Sequence, residues 1–138
     1  QSLLQKAGVS AGNLQRASGG FVDADNYGWT DSNNVRGLAS VRAMSGTSFQ
    51  SLVDQYIAYQ KGQCQGDFAS MPSPSNGGAG KQISLYEVAC VGGSSLSSSI
   101  LFFEDQGRFI AIANQTPAAD MDVAMDSRDR IANFVRGL

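Results

Sequence analysis

The residue types that most often carry chemistry in proteins are sparse in this 138-residue chain, which contains no histidine. Without imidazole there is no Ser-His or Cys-His nucleophile pair, and most zinc, copper and iron sites lose their preferred ligand. The hydroxyl-rich run at 92–99 lacks both the Gly-Lys-[Ser/Thr] of a phosphate-binding loop and the Gly-x-Ser-x-Gly of a nucleophile elbow. We therefore expect a protein without enzymatic activity, cofactor or metal ion.

Carboxylates are the remaining candidates for acid–base chemistry, and they cluster near the C-terminus as Asp120, Asp122, Asp126 and Asp129. Two carboxylates do such work when burial separates their pKa values, and a spacing along one exposed helix face provides no burial. A solvated acidic face is the favoured interpretation, and a carboxylate-dependent hydrolase is the least favoured. Together with Arg128, the aspartates Asp122, Asp126 and Asp129 form a predicted contact surface.

Arg128 interrupts an apolar stripe, so its guanidinium must either reach solvent or find a partner. One interpretation is an ion pair with a buried carboxylate such as Asp129 or Glu104. The other is binding of an anionic ligand. The ion pair is the favoured interpretation.

The segment 23–34 has some of the oxygen ligands of a calcium-binding loop. The residues at EF-hand loop positions 1, 3, 6 and 9 are Asp23, Asp25, Gly28 and Asp31. Position 12 requires a bidentate Glu and holds Asn34, so the spacing favours a loop of Asx turns over a metal site. Tyr27 and Trp29, which flank Gly28, are either an exposed contact patch or buried anchors of this loop.

The two cysteines, Cys64 and Cys90, form an even count without a CxxC spacing, which predicts one disulfide. Such a bond would stabilise the fold by about 3–4 kcal/mol through the entropy of the unfolded chain. The alternative is a pair of buried free thiols. With the abundance of Ser, Gly, Asn and Gln, the disulfide favours a periplasmic or extracellular protein. The start at Gln1 fits either a processed mature protein or an excised domain.

The elements that would position these residues follow from hydrophobic periodicity. A helix is predicted near 48–61, capped by Thr47 with Gln50 at N3 and ended by Gly62. A short helix is predicted at 1–8, and a C-terminal helix is predicted from the N-cap Thr116 and Pro117 to Gly137. The Ser/Pro/Gly-rich stretch 71–80 is predicted to be a flexible loop.

Strands are predicted at 35–43, 83–91, 98–104 and 108–114, and the aromatic islands at 20–22 and 27–29 are short edge strands or anchors. The last two strands form a hairpin, in which Gly107 adopts a positive φ. Their runs 100–103 and 109–113 are apolar at every position, which predicts central strands with both faces covered. We expect one α+β domain over 1–138, with a mainly antiparallel sheet and helices packed on it.

The hairpin 100–112, followed by the helix predicted from Thr116 through Phe134, resembles the PsbP/Mog1-type α/β/α sandwich. The resemblance covers the chain from about residue 35 onwards. Members of that group mostly serve as accessory or binding proteins without catalysis, and no functional residue is carried over. The resemblance implies an α/β/α-like arrangement of layers.

Charge and hydropathy complete the prediction. With 10 Lys+Arg and a net charge of −2, no nucleic-acid partner is expected, and no apolar run is long enough to cross a bilayer. The favoured function is a non-enzymatic, exported domain that binds another protein. The alternative is a small-molecule binder with a cavity between sheet and helices. The sequence leaves the oligomeric state open.

Overall fold

The structure is a computed structural model that describes residues 15–17, 21, 24–30, 36–73, 83–91, 96–117, 128–129 and 131. Within these residues the chain forms seven strands and one long helix. The elements are β1 Gln15–Ala17, β2 Asp25–Thr30, β3 Arg36–Ala43, α1 Phe49–Gln63, β4 Asp67–Ser73, β5 Ile83–Val91, β6 Leu96–Asp105 and β7 Arg108–Pro117. Residues 128, 129 and 131 are also helical. The helix predicted at 1–8 lies outside the described residues.

The strands form one antiparallel sheet in the order β1-β2-β3-β7-β6-β5-β4. This confirms the α+β class with a mainly antiparallel sheet. The strands β6 and β7 lie at its centre, as their continuous apolar runs predict. They are joined by a two-residue turn in which Gln106 (φ 52°) and Gly107 (φ 75°) both have positive φ, the conformation that a tight hairpin requires.

Both faces of the sheet are covered by apolar side chains. The strand β6 contributes to both, because its successive side chains point to opposite sides. Ile100 and Phe102 pack against the face that α1 covers, which we call the helix face. Leu101 and Phe103 pack on the opposite face, together with Trp29 and with Ile131 from the C-terminal helical residues. We call this side the tryptophan face. The helical segments on the two sides give the predicted sandwich-like layers.

The helix α1 begins one residue later than predicted. Ser48 is the N-cap, and its hydroxyl accepts a hydrogen bond from the backbone N–H of Ser51 (3.1 Å). Thr47 instead donates its backbone N–H to Met44 (2.8 Å), in the turn that precedes the helix. Gly62 is a helical residue, and the helix ends at Gln63, with Cys64 as its C-cap. The apolar stripe is as predicted, with Phe49, Leu52, Val53 and Tyr56 buried.

Two predicted boundaries differ from the structure, one at β4 and one at the end of β7. Residues 71–73 belong to β4 and not to the predicted loop, because pairing with β5 orders a segment of weak intrinsic preference. The rest of the predicted loop, 74–80, lies outside the described residues. The strand β7 continues through Thr116 and Pro117, which pair with Ser97 and Leu96. At these two positions, pairing with β6 is therefore favoured over the local preference of Thr and Pro for the start of a helix.

The segment 25–30 is also a strand, paired on both sides by β1 and β3. It is therefore neither an edge strand nor the continuous loop that a calcium site of the EF-hand type requires. Asp23, Asp31 and Asn34 lie outside the described residues. Over the described part of the chain, no group of three or more His, Cys, Asp or Glu residues could hold a metal ion.

Candidate functional site

A row of polar side chains crosses the tryptophan face at the centre of the sheet. The strand register places Glu87 of β5 opposite Ser99 of β6, and Ser99 opposite Asn114 of β7. Residues opposite one another in an antiparallel pair share a face, with Cβ atoms about 4.5–5.5 Å apart. Ser97, two residues from Ser99, projects to the same side. Ser97, Ser99 and Asn114 are each at most 1% exposed.

Arg128 approaches this row from the C-terminal helical residues and is itself buried. Its guanidinium donates through Nη1 to the carboxylate of Glu87. It also donates to Oδ1 of Asp129, through Nε (3.0 Å) and Nη2 (2.8 Å). The predicted ion pair with Asp129 is present, although that carboxylate is half exposed, and the buried carboxylate in the pair is that of Glu87, which the sequence did not indicate. We call Glu87, Ser97, Ser99, Asn114 and Arg128 the buried polar cluster.

Four atoms of the buried polar cluster lack a hydrogen-bond partner among the described residues: Ser97 Oγ, Ser99 Oγ, and both Oδ1 and Nδ2 of Asn114. A buried polar atom without a partner costs about 1–3 kcal/mol, and a whole domain is stable by only about 5–15 kcal/mol. Native proteins contain few such atoms, and each calls for an explanation. These side chains can offer both donors and acceptors to one small group.

In contrast to this cluster, several polar side chains on the helix face have hydrogen-bond partners within the protein. The hydroxyl of Tyr56 accepts from Nε2 of Gln60 (3.3 Å). Ser40 Oγ donates to Oδ1 of Asn26 (2.5 Å), and the amide of Asn26 donates to the carbonyl of Phe21 (3.1 Å). The unpartnered side-chain atoms are thus concentrated on the tryptophan face, beside the Glu87–Arg128 ion pair.

Trp29 flanks the row on the β3 side. Gly37 pairs with Asn114 in register, and the indole of Trp29 lies directly over Gly37. A Cβ built on Gly37 would be only 2.0 Å from Cε2 of Trp29. Trp29 is 3% exposed, so it is an internal side chain and does not support the surface patch proposed with Tyr27, which is half-buried.

The other predicted site residues are placed as follows. Arg128 is an internal side chain and cannot contribute a guanidinium to a contact surface in this conformation. The carboxylate of Asp129 is half exposed, and Asp122 and Asp126 lie outside the described residues. Cys64 and Cys90 form the predicted disulfide, with an S–S distance of 1.99 Å.

Sequence reasoning missed Glu87, Ser97, Ser99 and Asn114. A partial signal was present, because Asn114 follows five apolar residues in a strand predicted to be buried on both faces. The serines carried no comparable signal, since their run was equally compatible with a flexible turn. Only the register of β5, β6 and β7 brings these residues side by side.

Comparisons with known proteins support the fold without naming a function. A scan against protein families found none that matches the chain, and no curated protein matches it. Among solved structures, it is similar to PA94, a Pseudomonas aeruginosa protein of unknown function described as a candidate regulator. The TM-score is 0.58 and the identity 14%, over 91% of this chain and 80% of that chain. At this identity, the likeness shows the fold alone.

Proposed function

We propose that this chain is a non-catalytic binding domain that holds a small polar molecule against the tryptophan face of its sheet. The observation that carries the proposal is the set of four unpartnered polar atoms on Ser97, Ser99 and Asn114. Hydrogen bonds from a bound molecule would remove the desolvation cost of these groups. This develops the small-molecule alternative over the protein partner that the sequence favoured.

Binding without catalysis is favoured by the surroundings of Ser99. A serine hydroxyl becomes a nucleophile when an adjacent base accepts its proton. The carboxylate opposite Ser99 is that of Glu87, which accepts a charged hydrogen bond from Arg128. Because Oε1 of this carboxylate is already engaged by the Arg128 guanidinium, we expect Ser99 to bind rather than attack.

The disulfide supports the proposed setting. Bonds such as Cys64–Cys90 form and persist in oxidising compartments, and they are rare in the cytosol. We propose a periplasmic or extracellular location on this ground. Among the described residues, the structure contains no helix whose length and hydropathy would let it span a bilayer.

A fragment screen by NMR would test the proposed binding. The isotope-labelled protein is exposed to a library of small polar molecules, and the side-chain amide of Asn114 and the backbone amides of Ser97 and Ser99 are monitored. We expect hits that shift these three residues together. Replacement Asn114→Leu should abolish the shifts at the backbone amides of Ser97 and Ser99, whereas Ser70→Ala, at an exposed serine of β4, should preserve all three. Shifts scattered over the surface, or unchanged in Asn114→Leu, would contradict the proposal.

A protein partner is the second candidate, favoured by an exposed apolar stripe on β4 and β5. Met71 is 63% exposed and Val91 54%. The register places the pair Ala69–Ala89 between them on the same face. Pro72 lacks a backbone N–H and so blunts this edge against strand addition, which leaves side-chain contact as the mode of binding.

A pull-down from envelope or secreted extracts would test the second candidate. We expect a specific partner that is lost with Met71→Glu and retained with Ser70→Ala, because only the first change places a charge in the stripe. Recovery of the same proteins by both variants would count against a partner at this surface.

A further inference from the structure

The chemical class of the small molecule follows from the charges and hydrogen-bonding groups of the buried polar cluster. We propose that the site binds an uncharged ligand that presents an amide-type group, with a donor and an acceptor side by side, to the carboxamide of Asn114. This inference rests on the proposed function and specifies its ligand.

The charges of the cluster are already matched within the protein. The guanidinium of Arg128 donates to both Glu87 and Asp129. An anionic ligand would have to displace one of these carboxylates from Arg128. A cationic ligand would have to draw Glu87 away from the same guanidinium. Burial of a charge without a counter-charge is strongly unfavourable, so the cluster selects against ligands of either sign.

Asn114 defines the shape of the recognised group. Both Oδ1 and Nδ2 are unpartnered, and they lie in one plane on the same carbon. Their complement is a group with an N–H and a carbonyl oxygen on the same side, as in a primary amide, a lactam or a urea. Such a group forms two parallel hydrogen bonds with a carboxamide. A hydrogen-bonding site of this kind discriminates strongly against analogues that lack one of the two atoms.

The neighbours of Asn114 support the same class. Ser99 lies directly opposite and can bond the second carbonyl lone pair or amide proton of the ligand. The next positions on this face are Ile112 and Leu101, which also pair with one another and belong to the apolar cluster. The site therefore combines a polar end with an apolar border, which suits an amide on a short apolar group.

Three molecules of nearly equal shape test the class directly: acetamide, acetate and acetamidinium. Each is titrated into labelled protein while the side-chain amide signal of Asn114 is followed by NMR. We expect acetamide to bind at this residue about tenfold or more tightly than either ion. The variant Ser99→Ala should weaken acetamide binding about 3- to 10-fold, and Ser70→Ala should leave it unchanged.

The variant Asn114→Asp provides a second test that does not depend on loss of binding. It replaces the amide donor with a carboxylate oxygen at constant shape, and it should shift the preference from acetamide to acetamidinium, as measured at the backbone amides of Ser97 and Ser99. Circular dichroism and the dispersion of the NMR spectrum show whether this variant folds. If it does not, Ser99→Ala decides the question.

The outcomes separate this inference from the proposed function. Tighter binding of acetate or acetamidinium at Asn114 of the unaltered protein would overturn the ligand class and leave the binding site intact. No response to acetamide, alongside positive fragments in the wider screen, would also overturn only the class. If the NMR signal of the Asn114 side-chain amide does not change in either experiment, both the ligand class and the proposed function are overturned.

Discussion

The indole of Trp29 occupies the space that a side chain on Gly37 would need, and this contact fixes the β2–β3 side of the tryptophan face. Close approach of this kind is one of the few reasons for glycine inside a strand. It also joins the core to the candidate site, because Gly37 is the register partner of Asn114.

Gly37→Ala should therefore be destabilising, by about 1–3 kcal/mol, since overpacking forces the ring or the strand to move. The matched change Gly62→Ala lies in α1, where an added Cβ meets nothing within 4 Å. It should stabilise by about 0.5–1 kcal/mol through helix propensity. Urea denaturation of the two variants measures both effects. Equal effects of the two substitutions would contradict the packing argument.

The buried ion pair makes a second prediction at the residue scale. Glu87→Leu or Arg128→Leu alone should cost about 3–5 kcal/mol, because each removes one member of a buried ion pair. The double variant should cost clearly less than the sum, since neither charge remains. A double-mutant cycle from urea denaturation gives the coupling free energy. Additive losses would show that the two side chains do not act as a pair.

At the scale of elements, the disulfide joins Cys64, the C-cap of α1, to Cys90, near the C-terminal end of β5. Its cysteines are 26 residues apart, and the loop that they close contains the edge strand β4. The bond therefore limits how far this weakly patterned strand can separate from the sheet when the chain unfolds.

Reduction of the disulfide should lower the free energy of unfolding by about 3–4 kcal/mol, the value expected for a loop of this size. Urea denaturation with and without reductant measures the loss. The double variant Cys64→Ala and Cys90→Ala provides the control, and its stability should not respond to reductant. An equal stability of the oxidised and reduced proteins would show that the bond carries no constraint.

At the scale of the whole molecule, Tyr56 links stability to pH. Burial raises the pKa of Tyr56 from 10.0 to about 12, because the phenolate would lose its hydration. The helix face of the sheet surrounds this ring, with Phe102 and Phe21 in edge-on contact at 5.3 and 5.2 Å between centroids.

Because the pKa is raised in the folded state, the unfolded chain loses the Tyr56 proton first. The stability that the neutral phenol contributes is complete below about pH 10 and is lost between about pH 10 and 12. The loss attributable to this residue should be about 2–3 kcal/mol. Denaturation as a function of pH, compared between the unaltered protein and Tyr56→Phe, isolates it. Parallel pH profiles of the two proteins would contradict the assignment.

Local patterns in the sequence determined several elements correctly. The 3.6-residue period of the stripe from Phe49 to Ile57 predicted α1, and the glycine at position 107 predicted the tight β6–β7 turn. The fully apolar runs of β6 and β7 predicted a sheet covered on both faces. These features depend on neighbours within a few positions along the chain, so a single sequence contains enough information to identify them.

The tertiary structure alone decided the strand order, the existence of β4 and the composition of the candidate site. Glu87 and Arg128 are 41 positions apart, and Ser99 meets Asn114 only through the register of β6 against β7. Thr116 shows the same principle, since its local preference for a helix cap is overridden by a strand partner. Pairing and burial depend on the free energy of the whole sheet, which hydrophobic periodicity does not report.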